Sequence, residues 1–243
     1  MEDPRERGCT MRRLFVLSLV LFSFVLTAGC AGGIKGKVNA SKDFESKWKV
    51  RKKGLAGGTR TINAELKVSG KKFAVHQVAE DMSVSALGAI KIITESDIVF
   101  DGKTLWQFNI KTRVEGEPEV SSDEVIKYVP EEGFEETYWR IPDSVEVEEK
   151  GTEELDGKTF TVLEGRNWTA LGTEAVYRIL VDPELGYIRN YTFGYAEGAG
   201  GEAKVPEREY ECVDYDGNAS FTGSEFSYDP GSKEVSEEQK FDF

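Results

Sequence analysis

The chain has one histidine and three cysteines in 243 residues, and each shortage removes a class of chemistry. Without a second histidine, a reactive-cysteine motif or a phosphate-binding glycine loop, catalytic triads, zinc hydrolysis and nucleotide chemistry lack their parts. His76 lies in an alternating stretch, where a half-buried structural imidazole is the expected role. Cys9 and Cys30 belong to the N-terminal segment, which leaves Cys212 alone in the body of the chain. A disulfide framework is therefore excluded, and Cys212 reads as a small buried residue. Apart from one run near the N-terminus, no apolar stretch is long enough to span a bilayer. Cationic residues are also in deficit, 31 Lys and Arg against 44 Asp and Glu for a net charge of −13, which disfavours nucleic acid as a partner. Carboxylates are abundant, but no pair stands out as an acid and base, so the chain reads as a non-enzyme with no cofactor.

What is present begins with MRRLFVLSLVLFSFVLTAGC at residues 11–30. Arg12 and Arg13 form a positive start, Leu14 to Leu26 an uncharged run short for a membrane span, and Thr27-Ala28-Gly29 a small-residue cut site before Cys30. The pattern resembles a prokaryotic lipoprotein signal peptide with Cys30 as the lipid-attachment residue. The acidic leader sits badly before it and points to Met11 as the start. The expected layout is a signal peptide over 1–29, a flexible Gly-rich basic tether over 30–45, and one domain over 46–243, anchored outside the cytoplasmic membrane as a monomer. Between Cys30 and Arg60 nine basic residues face only Asp43 and Glu45, whereas the remainder is strongly acidic. A basic tether beside a lipid would be drawn to anionic headgroups. Asn39, Asn167, Asn190 and Asn218, four of the six asparagines, stand in N-x-S/T sequons. They are candidate glycosylation sites and fit an archaeal cell surface better than a bacterial one.

Beyond the tether the pattern is mostly β. WKVRKKGL, TRTINAELKVSG and KKFAVHQVAED alternate apolar with polar residues, for example Ile62, Ala64, Leu66 and Val68 against Asn63, Glu65 and Lys67. DIVFDGKTLWQFNI predicts a tight hairpin at Asp101-Gly102, and the same DGKT turn recurs at Asp156–Thr159. Ser121 or Ser122 could cap a short helix through Tyr128, with Asp123 and Glu124 in its first turn. Strand signals resume with SVEVEEKG, GKTFTVLEG, a hairpin turning at Asp182-Pro183-Glu184 with Gly186 left-handed, EREYECVDYDG and EFSYD.

The order DIVFDGKTLWQFNIKTRV, LDGKTFTVLEG, YRILVDPELGYIRNYTF and a terminal GSEFSYDPGSKEV resembles the LolA/LolB superfamily of lipoprotein-sorting and lipid-carrier proteins, over residues 60–236. The resemblance implies a mainly β (α+β) domain in which a curved, incompletely closed antiparallel β-barrel with a few short helices covers an apolar cavity for acyl chains. The family's usual N-terminal helix is not evident, and its cavity arginine maps onto no residue here. Leu66, Val68, Phe73, Val75, Trp106 and Phe108 are the candidate cavity residues.

Two functional readings follow. The first is a lipid-anchored carrier or chaperone for lipid or lipoprotein acyl chains, acting without catalysis; the second is a surface interaction protein with a filled core. The second carries a calcium candidate: Asp214, Asp216, Asn218, Ser220, Thr222 and Glu225 fall at positions 1, 3, 5, 7, 9 and 12 of an EF-hand-like loop, although Ala219 occupies the place where that loop needs glycine.

Overall fold

The computed structural model describes residues 33–40, 42–53, 58–85, 88–130, 137–168, 173–196 and 207–238. The signal peptide, Cys30 and the choice of start residue lie outside them. Chain order is helix α1 (residues 33–39), then β1 (Asp43–Lys53), β2 (Thr59–Ser69), β3 (Lys72–Ser85), β4 (Gly88–Phe100), β5 (Leu105–Val114), β6 (Val120–Ser121) and β7 (Val125–Tyr128). It continues with β8 (Glu146–Leu155), β9 (Lys158–Trp168), β10 (Glu174–Val181), β11 (Ile188–Tyr195), β12 (Arg208–Asp216), a 3-10 turn at Ser224–Phe226 and β13 (Val235–Glu238). All strands join one sheet in the order β13-β7-β5-β4-β3-β2-β1-β12-β11-β10-β9-β8, with β6 beside β5. Every pairing is antiparallel except β13 on β7.

Curvature comes from the natural twist of the sheet and from register shifts at Lys47/Trp48, Glu95/Asp97, Glu149/Gly151 and Leu180/Val181. At the β5 bulge, Asn109 adopts φ 54, a left-handed conformation that asparagine tolerates better than most residues. The dry face predicted by period two is the concave one. In β1, Phe44, Ser46, Trp48 and Val50 point inward while their neighbours stay wet. Tyr138 stacks at 5.2 Å on Tyr210 and meets Trp48 edge-on at 5.0 Å, and Trp139 meets Phe73 at 5.2 Å. The cover over this end of the concave face is thus the irregular segment 137–145 together with α1.

Three local expectations are corrected. The described part of the expected flexible tether is ordered: 33–39 are helical and β1 begins at Asp43. Lys35 Nζ donates to the carbonyls of Pro142, Asp143 and Val145, and Lys42 Nζ to those of Leu185 and Gly186. Further along, Arg51 pairs with Glu209 on the adjacent β12 and Lys53 with Glu207 just before it, so several cations of the basic segment are engaged within the fold. The helix expected over Ser121 or Ser122 to Tyr128 is instead β6, a turn and β7. Ser122 Oγ does accept from a backbone N–H, that of Glu124, but it closes a turn. Val125 is then fully buried between β5 and β13, and that pairing overrides the local capping signal. EFSYD, expected as a strand, supplies the 3-10 turn, and the final strand lies later at Val235–Glu238.

The two DGKT turns also differ. Asp156 (φ 54) and Gly157 (φ 74) form the two-residue hairpin with both central angles positive. Asp101 instead begins a four-residue loop, its Oδ1 accepting from the N–H groups of Lys103 and Thr104. The loop after β10 is as expected: Gly186 has φ 65 and Asp182 Oδ1 accepts from Glu184 and Leu185.

Asn39 fastens α1 to the covering segment. Its Nδ2 donates to Ile141 O at 2.7 Å and its Oδ1 accepts from Ile141 N at 2.9 Å. Replacing Asn39 with alanine leaves both Ile141 groups unpaired, and a loss of about 1–3 kcal/mol is expected in chemical denaturation.

Candidate functional site

The residues expected to line a cavity separate onto two faces of the sheet. Leu66, Val68, Phe73 and Val75 are on the concave face, but at its packed end, where each is at most 5% exposed. A void of about 10 Å³ lies near them, bordered by Trp48, Trp139 and Tyr187. These four residues pack against one another and their covering segment. Trp106 and Phe108 alternate with the core residue Leu105 and so lie on the outer face, where Phe108 stacks on Tyr228 at 3.8 Å and Trp106 meets the same ring at 6.0 Å. The terminal segment that carries Tyr228 covers them, its 3-10 turn packing on β3 and β4.

Following the concave face away from α1, the packing opens. Strand registers place one row of side chains across it: Asp81 on β3, Arg60 on β2, Lys52 on β1, Arg208 on β12, Phe193 on β11 and Tyr177 on β10. Every member shares the inward parity of its strand's core residues, for example Val50 before Lys52, Ile62 after Arg60 and Tyr210 after Arg208. The next row toward α1 is apolar and buried, with Val50, Ile62, Tyr191 and Ile179. The Arg60-to-Tyr177 row is therefore the lip of the packed interior.

Its aromatic side connects inward and outward. Tyr210 stacks on Tyr191 at 5.3 Å, Tyr177 lies parallel to Tyr191 at 6.1 Å and contacts Phe193 at 5.2 Å, and Phe193 meets Tyr195 edge-on at 5.2 Å. Tyr191 is 7% exposed and Tyr195 44%, so one run of rings passes from core to solvent. None of Lys52, Arg60, Arg208, Tyr177, Phe193 or Tyr195 was singled out by sequence. The signal was there in part: Lys52 and Arg60 are charges at dry positions of alternating strands.

Elsewhere, a cavity of about 250 Å³ opens near Leu155, Phe160, Leu185, Tyr187, Arg189 and Tyr215. Arg189 beside it is already engaged, donating to Cys212 O, Glu211 Oε1 and Asp156 Oδ2 at 2.6, 3.2 and 3.1 Å. His76 Nδ1 lies 2.8 Å from Asp97 Oδ1 on the outer face, so the imidazole is paired but exposed rather than half-buried as expected.

The calcium candidates do not assemble. Asp214 and Asp216 end β12, Asp216 Oδ1 accepts from Asn218 N, and Glu225 turns back to accept from Thr222 and Gly223. Among the described residues no group of three or more acidic, His or Cys side chains is placed to hold a metal. Of the sequons, Asn218 stands in an exposed turn, Asn167 and Asn190 are half-buried strand residues, and Asn39 is engaged with Ile141. No helix of the described residues is long and apolar enough to cross a membrane.

Burial raises several acids on the concave side of β12 and its cover. The Cys212 thiol is pushed up to about 12 and the Tyr215 phenol to about 12, in each case chiefly by desolvation, and burial also raises Tyr138. Their neutral forms are the ones the fold favours. Stability should therefore hold below pH 9, the ordinary thiol value, and fall as pH climbs toward 12. A lower urea midpoint at pH 11 than at pH 8 checks this.

No protein-family model matches the sequence, and no curated protein matches it. Solved structures do resemble it. The Pseudomonas aeruginosa MucA/MucB complex is matched at 11% identity and TM-score 0.38 over 83% of this chain and 61% of that one. A LolA superfamily protein from Nitrosomonas europaea is matched at 10% identity and TM-score 0.30, covering 82% and 97%. An outer membrane lipoprotein-sorting protein domain from Vibrio parahaemolyticus is matched at 11% and 0.33, covering 82% and 95%. The likeness is one of fold alone. This chain spans 57–64% of the length of the MucB chains it matches. The expected fold class is met: the described residues form a mainly β, single curved and unclosed sheet, with one helix, α1, where no N-terminal helix was expected.

Proposed function

We propose that the protein binds the chain of a lipid or lipoprotein at the open end of its concave face and carries or presents it, with no covalent step. The observation that supports this most is the run of rings from Tyr191 through Tyr177 and Phe193 to Tyr195, which brings a large apolar surface out of the core to solvent on the inside of a curved sheet. An acyl chain laid on such a wall is stabilised by about 0.8 kcal/mol for each methylene removed from water, which suffices for reversible capture and release. The signal sequence supports an extracytoplasmic setting with Cys30 as lipid anchor, and the exposed Asn218 is the sequon most open to a glycan.

The packed end of the concave face favours a second reading, a surface interaction protein with a filled core. An environment-sensitive fatty-acid probe separates the two. Saturable enhancement of its emission, displaced by host lipids, is expected for the carrier; no change at any concentration would leave the filled-core protein.

A further inference from the structure

We infer that the lip of the concave face selects amphiphiles with an anionic headgroup, which Arg60, Lys52 and Arg208 hold while the chain lies on Tyr177 and Phe193. The inference rests on the lipid-binding reading above and adds the ligand's chemical class.

Lys52 on β1 lies directly between Arg60 on β2 and Arg208 on β12, and all three have the inward parity. Neighbouring strands are about 4.8 Å apart, so three cationic stems stand side by side within about 10 Å. Like charges directly opposite one another disfavour a sheet. Lys52 is only 8% exposed, so its stem lies within the concave face. Asp81 closes one end, its Oδ2 3.8 Å from Arg60 Nε. That nitrogen is buried and makes no hydrogen bond among the described residues, so a donor remains at the row. Lys52 and Arg208 have contacts of their own; the inference rests on the adjacency of the three cations, not on a free charge. Arg208 stands opposite Phe193, and Phe193 opposite Tyr177, so the cationic half passes directly into the aromatic half. A ligand that satisfies both halves has an anionic head joined to an apolar chain.

The test is calorimetric titration of the full chain, held in neutral detergent, with dihexanoyl-phosphatidylglycerol, dihexanoyl-phosphatidylcholine and inorganic phosphate. Phosphatidylglycerol is expected to bind at least tenfold more tightly than phosphatidylcholine, with phosphate alone weaker than either. That preference should shrink to within twofold in Arg208→Gln and in Arg60→Gln, and in the unaltered protein when salt is raised from 50 to 500 mM. Equal binding of the two lipids, or a preference insensitive to both variants and to salt, would overturn the inference and leave lipid binding standing. Phosphate binding as tightly as phosphatidylglycerol would assign the row to a soluble anion and overturn it too. Failure of every chain-bearing probe would remove the lipid reading itself.

Discussion

Trp48→Ala is expected to remove about 3–5 kcal/mol of stability, the range for deleting a large aromatic from a packed core. Trp48 is 3% exposed, sits on the strand at the middle of the sheet order and meets Tyr138 edge-on at 5.0 Å. The substitution would open a cavity where the covering segment docks. It would also take the indole donor from Ser46 Oγ, a 2.8 Å hydrogen bond to a buried hydroxyl. Domains of this kind are held by about 5–15 kcal/mol in total, so the variant should lie near its unfolding threshold at 37 °C. Thermal unfolding followed by near-ultraviolet circular dichroism reads the loss directly. A change below 1 kcal/mol would mean that segment 137–145 does not pack on the sheet as described.

Phe193→Asp is expected to lower affinity for a lipid probe by about ten- to a hundredfold, the equivalent of about 1.4–3 kcal/mol of lost apolar contact. The side chain is half-buried between Tyr177 and Tyr195, each at 5.2 Å between ring centres, on the path from core to solvent. A carboxylate at that position faces Arg208 across the strand pair, so the fold gains a partner where the ligand loses a surface. Phe193→Leu keeps an apolar contact and should retain most of the binding. Equal loss in both variants would indicate disturbed packing instead of a lost ligand surface.

Much of the sheet was legible because alternation survives wherever one face is wet. Ile62, Ala64, Leu66 and Val68 were read as one face and are one buried face. Signals that depend on distant partners were not legible. Ser121 or Ser122, with Asp123 and Glu124 after it, reads as the start of a helix through Tyr128, and only the position of Val125–Tyr128 between β5 and β13 makes that stretch a strand. Similarly, α1 is short and glycine-bearing, with weak propensity of its own, and is held by Lys35 and Asn39 bonding to residues more than a hundred positions away.

The row from Arg60 to Tyr177 was not legible for the same reason. Leu66, Val68, Phe73 and Val75 lie on the concave face but are packed into the core, and nothing local reveals where the covering segment packs. Trp106 and Phe108 alternate with buried Leu105, and it is the distant terminal segment that covers them on the outer face. The cationic row needs β1 beside β12, a pairing between the two ends of the domain that no window of sequence contains.

Native mass spectrometry of the full chain purified from its host membranes tests lipid carriage most directly. A noncovalent adduct with the mass of a lipid, beyond any lipid attached at Cys30 and lost in Phe193→Asp, is the expected result. A protein that stays free of noncovalent lipid after exposure to anionic, zwitterionic and neutral classes alike would contradict it.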